Sequence, residues 1–283
     1  MTLPIDTIIC GDCLEVLRDF PDNSVDLVVT SPPYDNLRDY KGYSFDFEGI
    51  AHELFRTIKI GGVVVWVVGD RTINGSETGT SFKQALYFKQ LGFNLYDTMI
   101  YEKAATIYPG GVRYNQTVEF MFVLSKDTPK TINLIADKLN KYAGYSARGT
   151  THRKADGGIK DNKSFKGIPT KKFGVRNNIW RYGTGWMVST SEEIAFEHPA
   201  IFPEQLVADH ITSWSNKGDL ILDPMNGSGT TTKMADKLDR HYIGIDISEE
   251  YCKIARMRIK AVDTGVPVKE QLAGQMGLFP VDK

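Results

Sequence analysis

Cysteine is scarce in this chain, with three residues among 283. So small and odd a number argues against a disulfide framework and for a reducing compartment. No apolar run approaches the ~20 residues of a membrane-spanning helix, so none is expected. The opening Met1-Thr2-Leu3-Pro4-Ile5-Asp6 lacks the basic start and apolar core of a secretory signal. A cytoplasmic protein is therefore expected. Internal repeats are missing too, which sets aside repeat architectures. Net charge is nearly absent at −1. Apolar residues at 41% and charged residues at 24% are those of a soluble globular chain, long enough for one large domain or two small ones.

The small net charge hides an asymmetry. From Lys126 to Arg181 there are fourteen Lys and Arg against four Asp, so the rest of the chain is acidic. Regular alternation stops from Lys126 to about Thr190, where Gly, Lys, Arg, Thr and Asn dominate. Aromatics are interleaved (Tyr142, Tyr145, Phe165, Phe173, Trp180, Tyr182, Trp186), which a solvated disordered loop would not carry. The stretch reads as a small irregular insertion with a phosphate-binding surface. A basic insertion without a ligand is the plainer alternative.

Chemistry-bearing residues gather in two places. Val25–Thr30 is an apolar strand pattern that runs into Ser31-Pro32-Pro33-Tyr34. Two prolines have fixed φ and no N–H, and Ser31 before them is forced to an extended backbone. The result is a stiff corner at a strand's carboxyl end, where open α/β sheets place ligands. It offers a hydroxyl, carbonyl oxygens and an aromatic face, a set suited to a flat ring bearing an amine. The second place is Leu220 to Thr231, a strand, a glycine turn and a helix start. Its core is Asp223-Pro224-Met225-Asn226-Gly227-Ser228-Gly229-Thr230-Thr231. Glycines admit close backbone approach to a ligand, and Thr230 or Thr231 is placed to cap the helix. Tyr242–Asp246 then reads as a strand ending in an acid suited to a ribose diol.

Together these motifs resemble the amino-methylating DNA methyltransferases, over Ile5 to about Ile259. The catalytic motif precedes the cofactor loop, an order similar to the circularly permuted beta class. The resemblance implies an α/β fold: a mostly parallel Rossmann-like sheet of about seven strands, with an inserted target-recognition region. It implies S-adenosyl-L-methionine as cofactor and double-stranded DNA as partner, in a prokaryotic or phage host cell. The expected segments are a first catalytic part (1–125), the insertion (126–190), the cofactor-binding part (191–262) and a tail (263–283). Carried onto this chain, Ser31, Pro32, Pro33 and Tyr34 are catalytic. Asp223, Pro224, Asn226, Gly227, Ser228, Gly229, Thr230, Thr231 and Asp246 hold cofactor, and Asp12 lies near the adenine. His198, Phe202 and Pro203 resemble the motif flanking the methionine end, although a lone histidine at a loop end is more often structural. Arg38, Lys171, Lys172 and Arg176 are the DNA-contact candidates. Met225-Asn226 departs from the commoner Phe-x of the family.

Other elements follow from periodicity. Asp6–Cys10 is a strand and Leu14–Phe20 a helix. Cys10-x-x-Cys13 has no second pair, so a metal site is set aside. Asp35–Ser44, containing Arg38, is either a loop that folds over the base or an ordinary connection. Phe47–Lys59 has helical spacing, ended by Gly61-Gly62. Val63–Val68 reads as a central strand, and Thr80–Leu91 as a helix. Asn94–Glu102 and Val118–Ser125 read as an antiparallel edge pair. A helix is expected from Pro203-Glu204 to Trp214, and another over Glu249–Ile259.

An exocyclic amine is a poor nucleophile, and acceptors at Ser31 and Pro32 favour localising its lone pair. The base must leave the duplex to reach the corner. C5-methylation in the corresponding family uses a cysteine after a proline, but Cys10, Cys13 and Cys252 follow Ile, Asp and Tyr. Ser at the first motif position favours cytosine N4 in the family. Adenine N6 stays open, as do a Rossmann methyltransferase for RNA or a small molecule and a catalytically silent DNA-binding protein. Gln275-Met276-Gly277-Leu278-Phe279 resembles the peptide that docks bacterial proteins on the replication sliding clamp; packing onto the chain's own sheet is the alternative. A homodimer is also left open.

Overall fold

A computed structural model describes residues 3–33, 45–107, 111–146, 150–162 and 167–274. Tyr34, Arg38 and Gln275–Phe279 lie outside them. Among the described residues eight strands form the main sheet. They are β1 (Thr7–Cys10), β2 (Val25–Thr30), β3 (Ile58–Val68), β4 (Asn94–Ile107), β5 (Gln116–Ser125), β6 (Ile179–Tyr182), β7 (Leu220–Asp223) and β8 (His241–Asp246). The spatial order is β1-β8-β7-β2-β3-β5-β4-β6. Only β5 is antiparallel to its neighbours; all other adjacent pairs are parallel. The mostly parallel α/β sheet is thus present, with one strand more than expected.

The helices are α1 (Cys13–Arg18), α2 (Phe47–Thr57), α3 (Thr80–Leu91), α4 (Glu204–Trp214), α5 (Thr230–Lys237), α6 (Glu249–Thr264) and α7 (Val268–Leu272). Alternation along the strands divides the side chains between two faces. Val28, Val64, Trp66, Leu124, Leu222 and Ile243 share one core with Leu17 of α1, Leu54 of α2 and Phe88 of α3. Trp66 is fully buried there, and its indole N–H donates to Gln84 Oε1 at 2.9 Å. Helices α4, α5 and α6 cover the other face, where His210 of α4 meets Met121 of β5.

Several boundaries differ from the sequence reading. Gly61-Gly62 does not stop α2, which ends at Thr57. Both glycines lie inside β3, where Gly61 takes φ +77° and its N–H donates to Lys126 O at 2.6 Å. A Cβ at Gly61 would sit 2.9 Å from Lys130 Cβ, so glycine is needed for close approach rather than as a terminator. β4 runs on to Ile107, and β5 is an interior strand between β3 and β4. The edge is β6, which the basic window had hidden: it pairs parallel to β4, with Trp180 buried on it. α6 is longer than expected, and α7 lies in what read as tail.

Leu134–Asn177 is a separate compact unit inside the basic window. It contains two antiparallel ribbons, Lys138–Leu139 with Phe173–Gly174 and Thr150–Arg153 with Ile159–Asn162. Asn140 joins the ends of the first ribbon, donating from its backbone N–H to Lys172 O and from Nδ2 to Lys171 O, both at 2.9 Å.

Candidate active site

β2 and β7 are neighbours in the sheet, so the Ser31 corner and the glycine turn leave the same carboxyl edge side by side. The last residue of β2, Thr30, is buried and donates from Oγ1 to Asp223 Oδ1 at 2.7 Å. Ser31 and Pro33 beyond it are half-buried and Pro32 is buried. A second tie runs from Thr231 Oγ1 at the start of α5 to Val29 O, at 3.0 Å.

Asp223 is 1% exposed. Burial pushes its carboxyl up to about 6, against the opposing hydrogen bonds from Thr30, Thr231 and the Met225 N–H. The turn that follows is built on backbone. Asn226 N–H donates to Ile245 O of β8 at 2.9 Å, and Gly229 N–H returns to Asn226 O at 2.8 Å. Gly227 has φ +49°, and a Cβ there would lie 2.9 Å from His198 Nε2. Gly229 has φ +81° and is the N-cap residue of α5, with no side-chain cap. Thr230 and Thr231 therefore do not cap the helix: Thr231 holds β2, and Thr230 Oγ1 accepts from Arg258 Nη1 at 3.3 Å.

Asp246 ends β8 as expected. Its Oδ2 accepts from Gly227 N–H at 2.8 Å and its Oδ1 from Ser248 N–H at 2.9 Å. Burial raises its pKa. Asp12 lies exposed at the carboxyl end of β1, where it caps α1 by accepting from Leu14 N–H at 2.8 Å and Glu15 N–H at 3.3 Å. Cys13 next to it is pushed up to about 12, chiefly by burial, with the charges of Asp12 and Asp246 both adding. The two acids thus act on one spot. His198 packs against Tyr251 at 4.5 Å between ring centroids, and its Nδ1 lies 2.9 Å from Ala200 O. That contact and the approach to Gly227 make it a wall of the turn. Phe202 is half-buried, and Pro203 is buried as the N-cap residue of α4.

A cradle of this kind fits a nucleoside-type cofactor. The turn takes two glycines where side chains would collide, an acid closes one end, and Asn226 Nδ2 is buried without a hydrogen bond among the described residues. Lys171 and Lys172 are exposed in the compact unit, while Arg176 is taken up in an ion pair with Asp137 of the same unit. Sequence reasoning missed Thr30, Ser248, Thr232 and Arg258. Thr232 Oγ1 donates to Asn226 Oδ1 at 3.0 Å. Arg258 lies on the same helical stripe as the buried Cys252, Ala255 and Ile259, and a charge in such a stripe was a readable signal.

The profile of the N6/N4 DNA methylase family matches residues 25–257. The chain belongs to this family. Orphan methyltransferase M.BamHII of Bacillus amyloliquefaciens is 59% identical to this methylase over 240 residues, covering 84% of this chain and 90% of that protein. Type II methyltransferase M.HpaI of Haemophilus parainfluenzae is 25% identical over 270 residues, covering 91% and 75%. Among solved structures, the cytosine-N4-specific PvuII DNA methyltransferase matches with a TM-score of 0.65 at 19% identity, over 94% of this chain and 89% of that one. The M1.HpyAVI–SAM complex matches with a TM-score of 0.59 at 20% identity, over 89% and 98%. These two likenesses concern the fold.

Asp223 makes the methylase's stability pH-dependent. A carboxyl held near 6 when folded, against the ordinary 3.8, binds its proton more tightly in the folded state. Its contribution is whole below about pH 4 and is lost as pH rises to about 6, on the order of 3 kcal/mol in all. Asp223→Asn keeps an acceptor for Thr30 and cannot ionise. Its stability relative to wild type should therefore rise by up to that amount between pH 4 and 7, measured by urea denaturation across the range.

Proposed function

We propose that this methylase transfers a methyl group from S-adenosyl-L-methionine to the exocyclic amine of a base flipped out of duplex DNA, cytosine N4 in preference to adenine N6. The observation that carries this reading is the Thr30–Asp223 hydrogen bond, which joins the catalytic strand to the cofactor turn at one sheet edge. The cofactor, when bound, supplies an electrophilic methyl on a cationic sulfonium. Asp246 would accept the ribose hydroxyls, and Asp12 would stand near the adenine. The Gly227–Gly229 backbone would admit the cofactor closely, and His198, Phe202 and Pro203 would flank its methionine end. Asp223, being buried, acts by holding the turn to β2.

At the corner, Ser31 Oγ and the Pro32 carbonyl accept from the amine and draw it toward a tetrahedral nitrogen with a localised lone pair. Proline rings keep this corner rigid, so positioning supplies much of the rate. Tyr34 stacks on the base and offsets part of the cost of extruding it. The preference for cytosine rests on Ser31 heading the motif; adenine N6 is the alternative, and a methyltransferase for RNA or a small molecule the more distant one. The unit Leu134–Asn177 serves as the target-recognition part, with Lys171 and Lys172 on phosphates and Arg38 at the base. Membership of a restriction–modification system, a cytoplasmic location and a homodimer belong to the same reading, the last being readable by sedimentation. Docking of Gln275–Phe279 on a sliding clamp completes it.

Incubation with labelled cofactor and mixed-sequence duplex DNA, then mass spectrometry of the digested nucleosides, should yield N4-methylcytosine. N6-methyladenine would correct the base, and label found only on RNA would move the substrate class. Ser31→Ala should lower turnover by about a hundredfold while cofactor binding persists; unchanged turnover would remove Ser31 from the mechanism. Replacing Lys171 and Lys172 with Gln should reduce the slope of log K against log salt by roughly 1.8, and an unchanged slope places them off the DNA. A Leu278→Ala/Phe279→Ala variant should lose binding to a purified bacterial clamp; equal binding by variant and wild type would refute the docking.

A further inference from the structure

Four charged side chains meet behind the glycine turn, and only Glu204 among them stands in a motif. Arg258 of α6 is fully buried. Its Nε donates to Glu192 Oε2 at 2.6 Å and its Nη2 to Glu204 Oε1 at 2.7 Å. Its Nη1 donates to the Ser228 carbonyl at 2.7 Å, with Ser228 Oγ and Thr230 Oγ1 each at 3.3 Å. Lys233 of α5 donates to the same two carboxylate oxygens, Glu192 Oε2 and Glu204 Oε1, both at 2.8 Å. Thr190 Oγ1 also donates to Glu204 Oε1, at 2.6 Å. Two cations thus balance two carboxylates. Burial would raise the Glu204 pKa, but Lys233, Thr190 and Arg258 outweigh it and hold the pKa below the ordinary range.

Such a quartet is a poor source of stability, because desolvating buried charges costs about as much as their attraction returns. An apolar filling of the same volume would hold α4, α5 and α6 together as well. It would not grip the peptide plane after Ser228. That grip matters because the turn contains two glycines in the left-handed region, the residues with most backbone freedom to lose. Glu204 follows Phe202 and Pro203 directly, so one guanidinium links the turn to the segment that carries them.

We infer that Arg258 is a positioning residue for the cofactor, fixing the Ser228–Thr230 turn against the Phe202–Pro203 wall before the cofactor arrives. The inference rests on the cofactor reading given above. It makes Arg258 a determinant of cofactor affinity and not of the methyl-transfer step. Lysine at this position keeps the charge but lacks the planar fork that reaches Glu192, Glu204 and the Ser228 carbonyl at once.

Arg258→Lys should therefore raise both the Kd and the KM for S-adenosylmethionine by about tenfold, with kcat at saturating cofactor within about twofold, the pattern of lost uniform binding. Affinity for duplex DNA should stay unchanged. Glu204→Gln, which weakens the link to the wall, should move cofactor affinity the same way, and it serves alone if Arg258→Lys does not fold. Cofactor affinity equal to wild type in a folded variant, with only the thermal midpoint lowered, would overturn the inference and leave the quartet a structural element. If wild type itself binds no S-adenosylmethionine by calorimetry, the cofactor reading falls and the inference with it.

Discussion

A carboxyl group with almost no exposed surface joins two strands whose linked residues stand 193 apart in the chain. Removing Asp223 from water is unfavourable, and its raised pKa shows that the hydrogen bonds it receives do not fully offset the cost. What the arrangement provides is registration. Thr30 is the last residue before the Ser31 corner, and Asp223 is the last before the glycine turn. A bond of 2.7 Å between them fixes the two loop origins against each other. The Thr231–Val29 bond repeats the tie one turn into α5. With both in place, the origins of the two loops are tied at two points.

The reversed strand has its own consequence at that edge. β3 passes β5 antiparallel, and β5 passes β4 antiparallel, so β4 and β6 again point the same way as β2. Seven strands thus deliver their carboxyl ends to the edge that carries the Ser31 corner and the glycine turn, and β5 alone contributes its amino end. The sheet widens on the β3 side without displacing the β7–β2 pair. The compact unit Leu134–Asn177 sits in the chain between β5 and β6, so its insertion breaks no strand of the sheet.

Those parts of the fold were legible in which side-chain pattern and backbone role agreed. Val63–Val68 as strand, α3 and the glycine turn after β7 were legible because apolar runs and glycine punctuation named one structure each, although the strand starts earlier, at Ile58, and no threonine caps α5. Gly61-Gly62 misled because glycine punctuates helices and also permits close approach inside a strand; the Lys126 and Lys130 backbone beside it decides which, and those residues are remote in sequence. β6 was lost inside a basic, aromatic-rich window, since only Trp180 of its four residues is buried and a short edge strand carries little apolar signal. At the site, residues with recognisable spacing were found, while Thr30 and Arg258 were not. Their roles depend on partners in other elements, which no local pattern displays.

Side chains of the glycine turn are largely consumed inward. Asp223 faces Thr30, Asn226 Oδ1 receives Thr232, and Ser228 Oγ and Thr230 Oγ1 receive Arg258. What the turn leaves open is mainly backbone, Asn226 Nδ2 and Asp246, whose two oxygens each hold one N–H and keep lone pairs to spare. The corner at Ser31 is the opposite case. Pro32 and Pro33 have no N–H, so its backbone there can only accept. One side of the edge offers close backbone approach, and the other offers hydrogen-bond acceptors. Neither property depends on which motif comes first in the chain. The order of the motifs can therefore be exchanged without altering the chemistry, provided the strands that carry them remain adjacent and parallel.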